Sequence, residues 1–393
     1  MEKLERLKKS LAQELTNILS YWENNTVDEV NGGFIGHIDY PDKKRFEANK
    51  GIILNTRILW SFSAASNFYK STRYAHLCKR SYDYLKTCFK DNVHGGVYWE
   101  VDYKGNPVNK RKQVYAQAFT IYALSEYFLC SQNEEAKQWA VEIFELIQHH
   151  ASDPEYGGYI EAFTEDWSPV EDMRLSDKDD NEAKTMNTHL HILEAYTTLY
   201  KIYPEATVKN ALNGLVNIFL DKFLDKNGHL HLFFDEQWNL KSSVYSYGHD
   251  IETAWLMIEA AKTTGDKDLI KKTEKAALRI TNTFINEAID KDGAVKNEIN
   301  FKTGHVDTDR HWWQQAEAIV GLYYAYLINN DEKYIDIAVN IWKFIDKKVI
   351  DHTYGEWFWL IDENGNFNPE DEKAGMWKCP YHNSRAAIQL NLK

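Results

Sequence analysis

A repeat constrains this chain more than any other feature. Short glycine-marked segments return along its 393 residues: Gly32-Gly33-Phe34-Ile35, Gly95-Gly96-Val97-Tyr98-Trp99, Gly157-Gly158-Tyr159-Ile160, Gly228-His229-Leu230, Gly293-Ala294-Val295 and Gly355-Glu356-Trp357. The glycines are about 60 to 70 residues apart, and apolar residues at helical spacing fill the intervals. The helical patterns come in pairs: 52–68 with 74–89, 115–129 with 133–149, 188–203 with 207–223, 251–263 with 267–286, and 313–327 with 332–348. An array of about six such units either runs open or closes on itself. An open solenoid needs polar end repeats and no special chemistry at one end. Here the first helix of several pairs starts with polar and aromatic residues that capping does not need. Closure would collect those starts at one rim. The expectation is therefore an all-α fold, an (α/α)₆ barrel with short β-hairpins in the loops at one rim. No composition break or Pro-rich linker divides the chain, so residues 1–393 read as one catalytic domain.

The helix starts hold the candidate chemistry. In Gly248-His249-Asp250-Ile251-Glu252-Thr253-Ala254-Trp255, His249 and Glu252 are three apart and share a helix face, with Trp255 a turn away. An imidazole titrating near neutrality, a carboxylate to orient it and an aromatic plate would suit proton transfer on a sugar. Another start places Asn187, His191 and Glu194 on one face, while His189 points elsewhere and reads as a buried structural histidine. Two histidines near acids raise the question of a metal, but neither HExxH nor paired ExxH motifs are present, and no metal is expected. Trp312 and Trp313 are adjacent and point to different sides, with Glu317 four residues after Trp313. Pro380 fixes the backbone just ahead of His382, where a final helix begins. Arg57 sits among apolar residues, where it is too costly to bury unpaired. It must meet a carboxylate such as Glu252 or Glu317, or face a pocket holding an oxyanion; the pocket is favoured. The acidic run from Asp177 to Glu182 reads as a solvated loop.

Composition bounds the partners. Thirteen tryptophans and twenty-four tyrosines exceed what packing needs, and stacking on a carbohydrate would use the surplus. A net charge of −13 argues against nucleic acid or an anionic membrane as partner. Cys78, Cys88, Cys130 and Cys379 are scattered and read as free thiols in a reducing compartment. The first residues lack an apolar signal core, and no apolar run approaches the roughly 20 residues of a membrane span. A soluble, cytoplasmic protein, monomer or homodimer, is expected.

Six motifs carry a family resemblance: Asn55-Thr56-Arg57-Ile58-Leu59-Trp60, Tyr115-Ala116-Gln117-Ala118-Phe119, Asn187-Thr188-His189-Leu190-His191, the run from Gly248 to Trp255, Trp312 to Glu317, and Trp377 to Asn383. In order and spacing the chain resembles the N-acylglucosamine 2-epimerase superfamily, and within it most resembles the cellobiose 2-epimerases. That resemblance implies an (α/α)₆ barrel and epimerisation of an aldose at C2 without a cofactor. It also implies acid/base roles for His249 and His382, a third pocket histidine at His191, and a substrate arginine at Arg57. Glu252 and Glu317 fall on the family's acids, and Trp313 and Trp377 on its sugar-stacking tryptophans. With these, Tyr115, Gln117, Asn187, Asp250, Trp255 and Trp312 are expected to touch substrate. Gln314 and Cys379 depart from the pattern, where many relatives have proline and a small residue.

Inverting C2 of a reducing sugar requires the open-chain aldehyde, because only then is the C2 proton acidic. Two imidazoles on opposite faces suit removal and return of that proton. Arg57 would hold the oxyanion, and Glu252 would fix the tautomer of His249. The expected substrate is the reducing-end glucose of a β-1,4-linked disaccharide. A mannose isomerase or an N-acylglucosamine 2-epimerase is the near alternative. An (α/α)₆ glycoside hydrolase needs two carboxylates across a glycosidic bond, for which Asp250, Glu252 and Glu317 are candidates. A non-catalytic glycan-binding protein would keep the aromatics alone.

Overall fold

The computed structural model describes residues 2–392. Its α-helices in chain order are α1 (Glu2–Asn25), α2 (Ile52–Tyr69), α3 (Ala75–Tyr84), α4 (Val114–Ser131), α5 (Glu134–Leu146), α6 (Met186–Ile202), α7 (Ala206–Ile218), α8 (Tyr247–Thr264), α9 (Lys267–Glu287), α10 (Trp312–Asn329), α11 (Lys333–Phe344) and α12 (Tyr381–Leu392). The even-numbered helices form an inner ring, each against the next, and α12 closes it against α2. An outer helix backs each of them: α3 on α2, α5 on α4, α7 on α6, α9 on α8 and α11 on α10. Five pairs match the sequence periodicity. The sixth joins α12 to α1 from opposite ends of the chain, a pairing no local pattern could disclose.

The two rings differ in sequence for a physical reason. An inner helix meets a neighbour on each side, an outer helix behind and the barrel axis in front. α4 is accordingly buried without a break from Val114 to Ser125, as expected of a helix apolar all round. An outer helix buries one stripe. In α9 that stripe is Leu269, Thr273, Ala276, Ala277, Ile280, Thr281 and Phe284.

At one rim the units repeat in detail. α3, α5, α7 and α11 each run into a π-helical turn, such as Leu85–Phe89 after α3. An aspartate follows, and its carboxylate accepts from backbone N–H groups of the glycine turn, as Asp91 does from Val93 and His94. Gly96 has φ of 72°, and a Cβ there would lie 2.6 Å from Gln117 Oε1. The same aspartate binds a buried cation just ahead of an inner helix. The pairs are Asp28–Lys50 at 2.8 Å, Asp91–Lys112 at 2.6 Å, Asp153–Lys184 at 2.6 Å, Asp351–Lys373 at 2.8 Å and Asp290–Arg310 at 2.9 Å. In the remaining unit the Tyr245 hydroxyl takes the cation's place, 3.1 Å from Asp225. Small antiparallel sheets cover the same rim. One pairs Ile38–Asp39 with Glu372–Ala374 and so ties the two ends of the chain together.

The fourth residue of four inner helices clamps the strand beyond the glycine turn. Backbone N–H groups donate from Val97 to Gln117 (2.9 Å), Tyr159 to His189 (2.9 Å), Leu230 to Asp250 (2.8 Å) and Val295 to Gln315 (2.8 Å). Among the described residues, no helix is long and apolar enough to cross a membrane.

Candidate active site

The starts of the inner helices surround a cavity of about 500 Å³ at this rim. Arg57 enters from α2, Tyr115 from α4, Asn187 and His191 from α6, His249 and Glu252 from α8, Trp312 and Trp313 from α10, and Trp377 and His382 from the approach to α12 and its first turn. The helix starts that closure was expected to collect at one rim do meet there. A second chamber of about 660 Å³ lies outward, with Asn187, His249, Trp313 and Trp359 in the walls of both.

His249 and His382 both line this one cavity, and both rings contact the Trp313 indole. Their ring centres are 4.8 Å and 5.5 Å from it. Each commits Nδ1 to the protein. His382 Nδ1 lies 2.7 Å from Glu317 Oε1, and His249 Nδ1 lies 2.9 Å from the Ser246 hydroxyl. His191 Nδ1 lies 3.1 Å from Glu194 Oε2. An Nδ1 that faces a carboxylate carries the proton, which leaves Nε2 as the free base. None of the three Nε2 atoms makes a protein hydrogen bond among the described residues. Burial lowers the pKa of all three rings, that of His249 to about 4. They are neutral at physiological pH and able to accept a proton.

Beneath the histidines lies an arginine that the sequence reading did not single out. Arg385, fully buried, pairs with Glu194, Glu252 and Glu317 from three different helices. Tyr381 donates to Glu194 at 2.5 Å, and the Trp255 indole N–H donates to Glu317 at 3.0 Å. Burial opposes ionisation of Glu194, but Arg385 and His191 beside it hold its pKa at about 2. Burial raises Glu317 against the pull of the same arginine. The signal for Arg385 was available: an arginine among apolar helix positions, the reasoning already applied to Arg57.

Arg57 faces the pocket and meets no carboxylate among the described residues. Its guanidinium donates to the Tyr115 hydroxyl at 2.8 Å and stacks on Phe119 at 4.4 Å. Several polar atoms at the cavity wall have no protein partner: Glu252 Oε2, Asn187 Oδ1, Arg57 Nε and Trp312 Nε1. Buried polar groups are nearly always satisfied, so donors and acceptors interleaved with indoles describe a receptor for a polyhydroxylated ligand.

The sequence model of the N-acylglucosamine 2-epimerase (GlcNAc 2-epimerase) family matches residues 33–386. The chain belongs to that family. It is 45% identical to a cellobiose 2-epimerase from Bacteroides fragilis over 388 residues, 98% of this chain and 99% of that one. The structure of cellobiose 2-epimerase from Bacillus thermoamylovorans B4167 matches with a TM-score of 0.95 at 37% identity, covering 99% and 100% of the two chains. A D-mannose isomerase structure at 20% identity, covering 98% of this chain and 97% of its own, shares the fold with a TM-score of 0.85.

Several expected contacts of this family member lie elsewhere. Glu252 does not orient His249: its Oε1 is taken by Arg385, and Ser246 holds the imidazole instead. Gln117 and Asp250 are absent from the cavity wall, because both serve as strand clamps at the rim. Trp255 and Glu317 lie one layer below the cavity, Trp255 on Glu317 and Glu317 on His382. The acidic loop is not simply solvated, since Asp177, Lys178 and Asp179 cover the cavity. Asn297 and Trp359 also line it without having been foreseen. They come from rim segments, where no helical pattern marks the inward face.

Proposed function

We propose that this protein is an enzyme that epimerises C2 of the reducing-end glucose of a β-1,4-linked disaccharide, converting cellobiose to glucosyl-mannose and lactose to epilactose. The observation that carries this reading is the placement of His249 and His382 on one cavity, both in contact with Trp313. The outer chamber supports a disaccharide, because a second sugar has room beyond the first.

The sugar ring opens first, with His191 or His249 moving the proton. One of His249 and His382 then takes the C2 proton on Nε2. The C–H electron pair becomes the C1–C2 double bond of an enediolate, whose charge on O1 faces the Arg57 guanidinium. The opposing histidine, once it has taken up a solvent proton on Nε2 beside the enediolate's negative charge, gives that proton to the other face and is left neutral. Each proton transfer by a positioned side chain contributes roughly 10² to 10⁴ in rate. A hydrolase is disfavoured by where the acids lie. Glu317 and Asp250 are off the cavity wall, and Glu252 is tied to Arg385.

Incubation with cellobiose, lactose, mannose and N-acetylglucosamine in D₂O, read by NMR, tests the proposal. Deuterium at C2 with the glycosidic bond intact is expected, and release of monosaccharide would reverse the conclusion.

A further inference from the structure

One polar side chain at the junction of the two chambers has no task in the fold. His311 lines both chambers and is half-buried. It is the N-cap residue of α10, yet its side chain makes no cap bond, and its imidazole has no hydrogen-bond, ion-pair or ring partner among the described residues. The backbone around it is fixed. Arg310–His311 pairs with Leu360–Ile361, Asp290 holds the Arg310 side chain, and the His311 carbonyl accepts from Gln315 Nε2 at 3.3 Å. Burial lowers the His311 pKa to about 4, with Asp307 pulling the other way. The ring is therefore neutral at physiological pH and offers one donor and one acceptor.

Most of the other polar side chains shared by the chambers are committed. Asn297 donates to Asp307 at 2.8 Å and accepts from Gln314 at 2.6 Å. Asp179 accepts from the N–H and the hydroxyl of Ser176 at 2.8 and 2.9 Å. Asn187 has an unpartnered Oδ1, but it lies one turn from His191 on α6, beside the reacting sugar. Lys178 is exposed on the covering loop. Only His311 is both anchored at the junction and uncommitted there.

We propose that His311 is a specificity residue for disaccharides, hydrogen-bonding the substrate where its two sugars join. The inference rests on the C2-epimerase reading. With the reacting sugar in the inner cavity, the linkage and the hydroxyls beside it cross the junction, and a monosaccharide leaves the outer side of His311 without a sugar partner. A site built to hydrogen-bond a substrate hydroxyl discriminates sharply against a ligand that lacks it.

Dissociation constants of cellobiitol and glucitol, measured by ligand-observed NMR, test this. Both are reduced sugars without a carbonyl, so neither reacts, and they differ by the second glucose. Cellobiitol is expected to bind the wild-type protein at least about tenfold more tightly. His311→Ala should weaken cellobiitol about fivefold or more relative to glucitol, and His311→Gln, which keeps a donor and an acceptor, should recover most of that loss. His311→Phe, which keeps a ring but no hydrogen bond, should behave as His311→Ala and decides the point if the alanine variant folds poorly. Equal binding of the two ligands by the wild type, an unchanged ratio in both His311→Ala and His311→Phe, or a glutamine variant no better than alanine overturns the inference. Binding is read without turnover, so the two readings fail separately. Loss of the expected ratios with C2 epimerisation intact overturns the role of His311 alone, and absence of any C2 epimer overturns the function.

Discussion

Buried ion pairs occur at two levels of this barrel, and they are built differently. At the rim, one carboxylate meets one cation, as in Asp91–Lys112, and the arrangement recurs from unit to unit. Beneath the cavity, one guanidinium meets three carboxylates, and this occurs once among the described residues. The rim pairs balance. The lower cluster leaves an excess of negative charge under His191 and His382, offset in part by Arg57 above. On the proposed mechanism, such a floor would let a buried imidazole become charged during turnover, which burial alone would oppose. What repeats around the ring serves the fold, and the departure from the repeat serves the chemistry.

The sharpest way to break the contrast is Arg385→Met. Three buried acids then lose their cation, which should cost about 3–5 kcal/mol of stability and reduce kcat roughly 1,000-fold, read by thermal melts and by epimer formation. Glu317→Gln keeps the shape but can no longer fix the proton on His382 Nδ1. A fall in kcat of about 100-fold or more is expected, with little change in Tm. Lys112→Met should do the reverse, losing about 3 kcal/mol while kcat and KM stay constant below the melting range. If Lys112→Met damages catalysis as Arg385→Met does, the division between levels fails.

Glu161 sharpens the comparison as a buried acid that forms no ion pair among the described residues, Arg111 acting on it only from a distance. Burial raises its pKa from 4.5 to about 7, against hydrogen bonds from Thr185 and Thr188. Between those values the unfolded chain has released a proton that the folded protein still holds, so stability falls as pH rises from 4.5 toward 7. The ceiling is about 3 kcal/mol. Glu161→Gln should therefore raise Tm at pH 8, by the equivalent of about 1–2 kcal/mol, and leave it nearly unchanged at pH 4.5. The aspartates of the rim pairs titrate with the opposite sign. Burial opposes ionisation of Asp28, Asp91 and Asp153, but hydrogen bonds from turn N–H groups and the paired lysines hold them below their ordinary value. Their contribution is present above about pH 4 and is lost as pH falls through the lowered values.

The sequence showed the ring more fully than the site. Glycine turns and helical periods are local signals, and they placed five helix pairs and gathered their starts at one rim. The partner of α12 was not visible, because α1 reaches it only in space. The supports of His249 and His382 were missed for the same reason, whereas that of His191, three residues from Glu194, was local and visible. His249 and Glu252 share a face by spacing, yet Arg385, arriving from another helix, claims the carboxylate. Gln117 and Asp250 occupy a position equivalent to His189. Comparing units position by position, rather than motif by motif, would have marked all three as clamps.

The pairing of α1 with α12 bears on how the molecule is assembled. Among the described helices α1 is made before the others and has no inner partner until α12 follows, and His382 and Arg385 ride on α12. Five stacked hairpins therefore leave the ring open and the cavity without His382. The dozen residues of α12 seal the circle and complete the cavity wall in the same event.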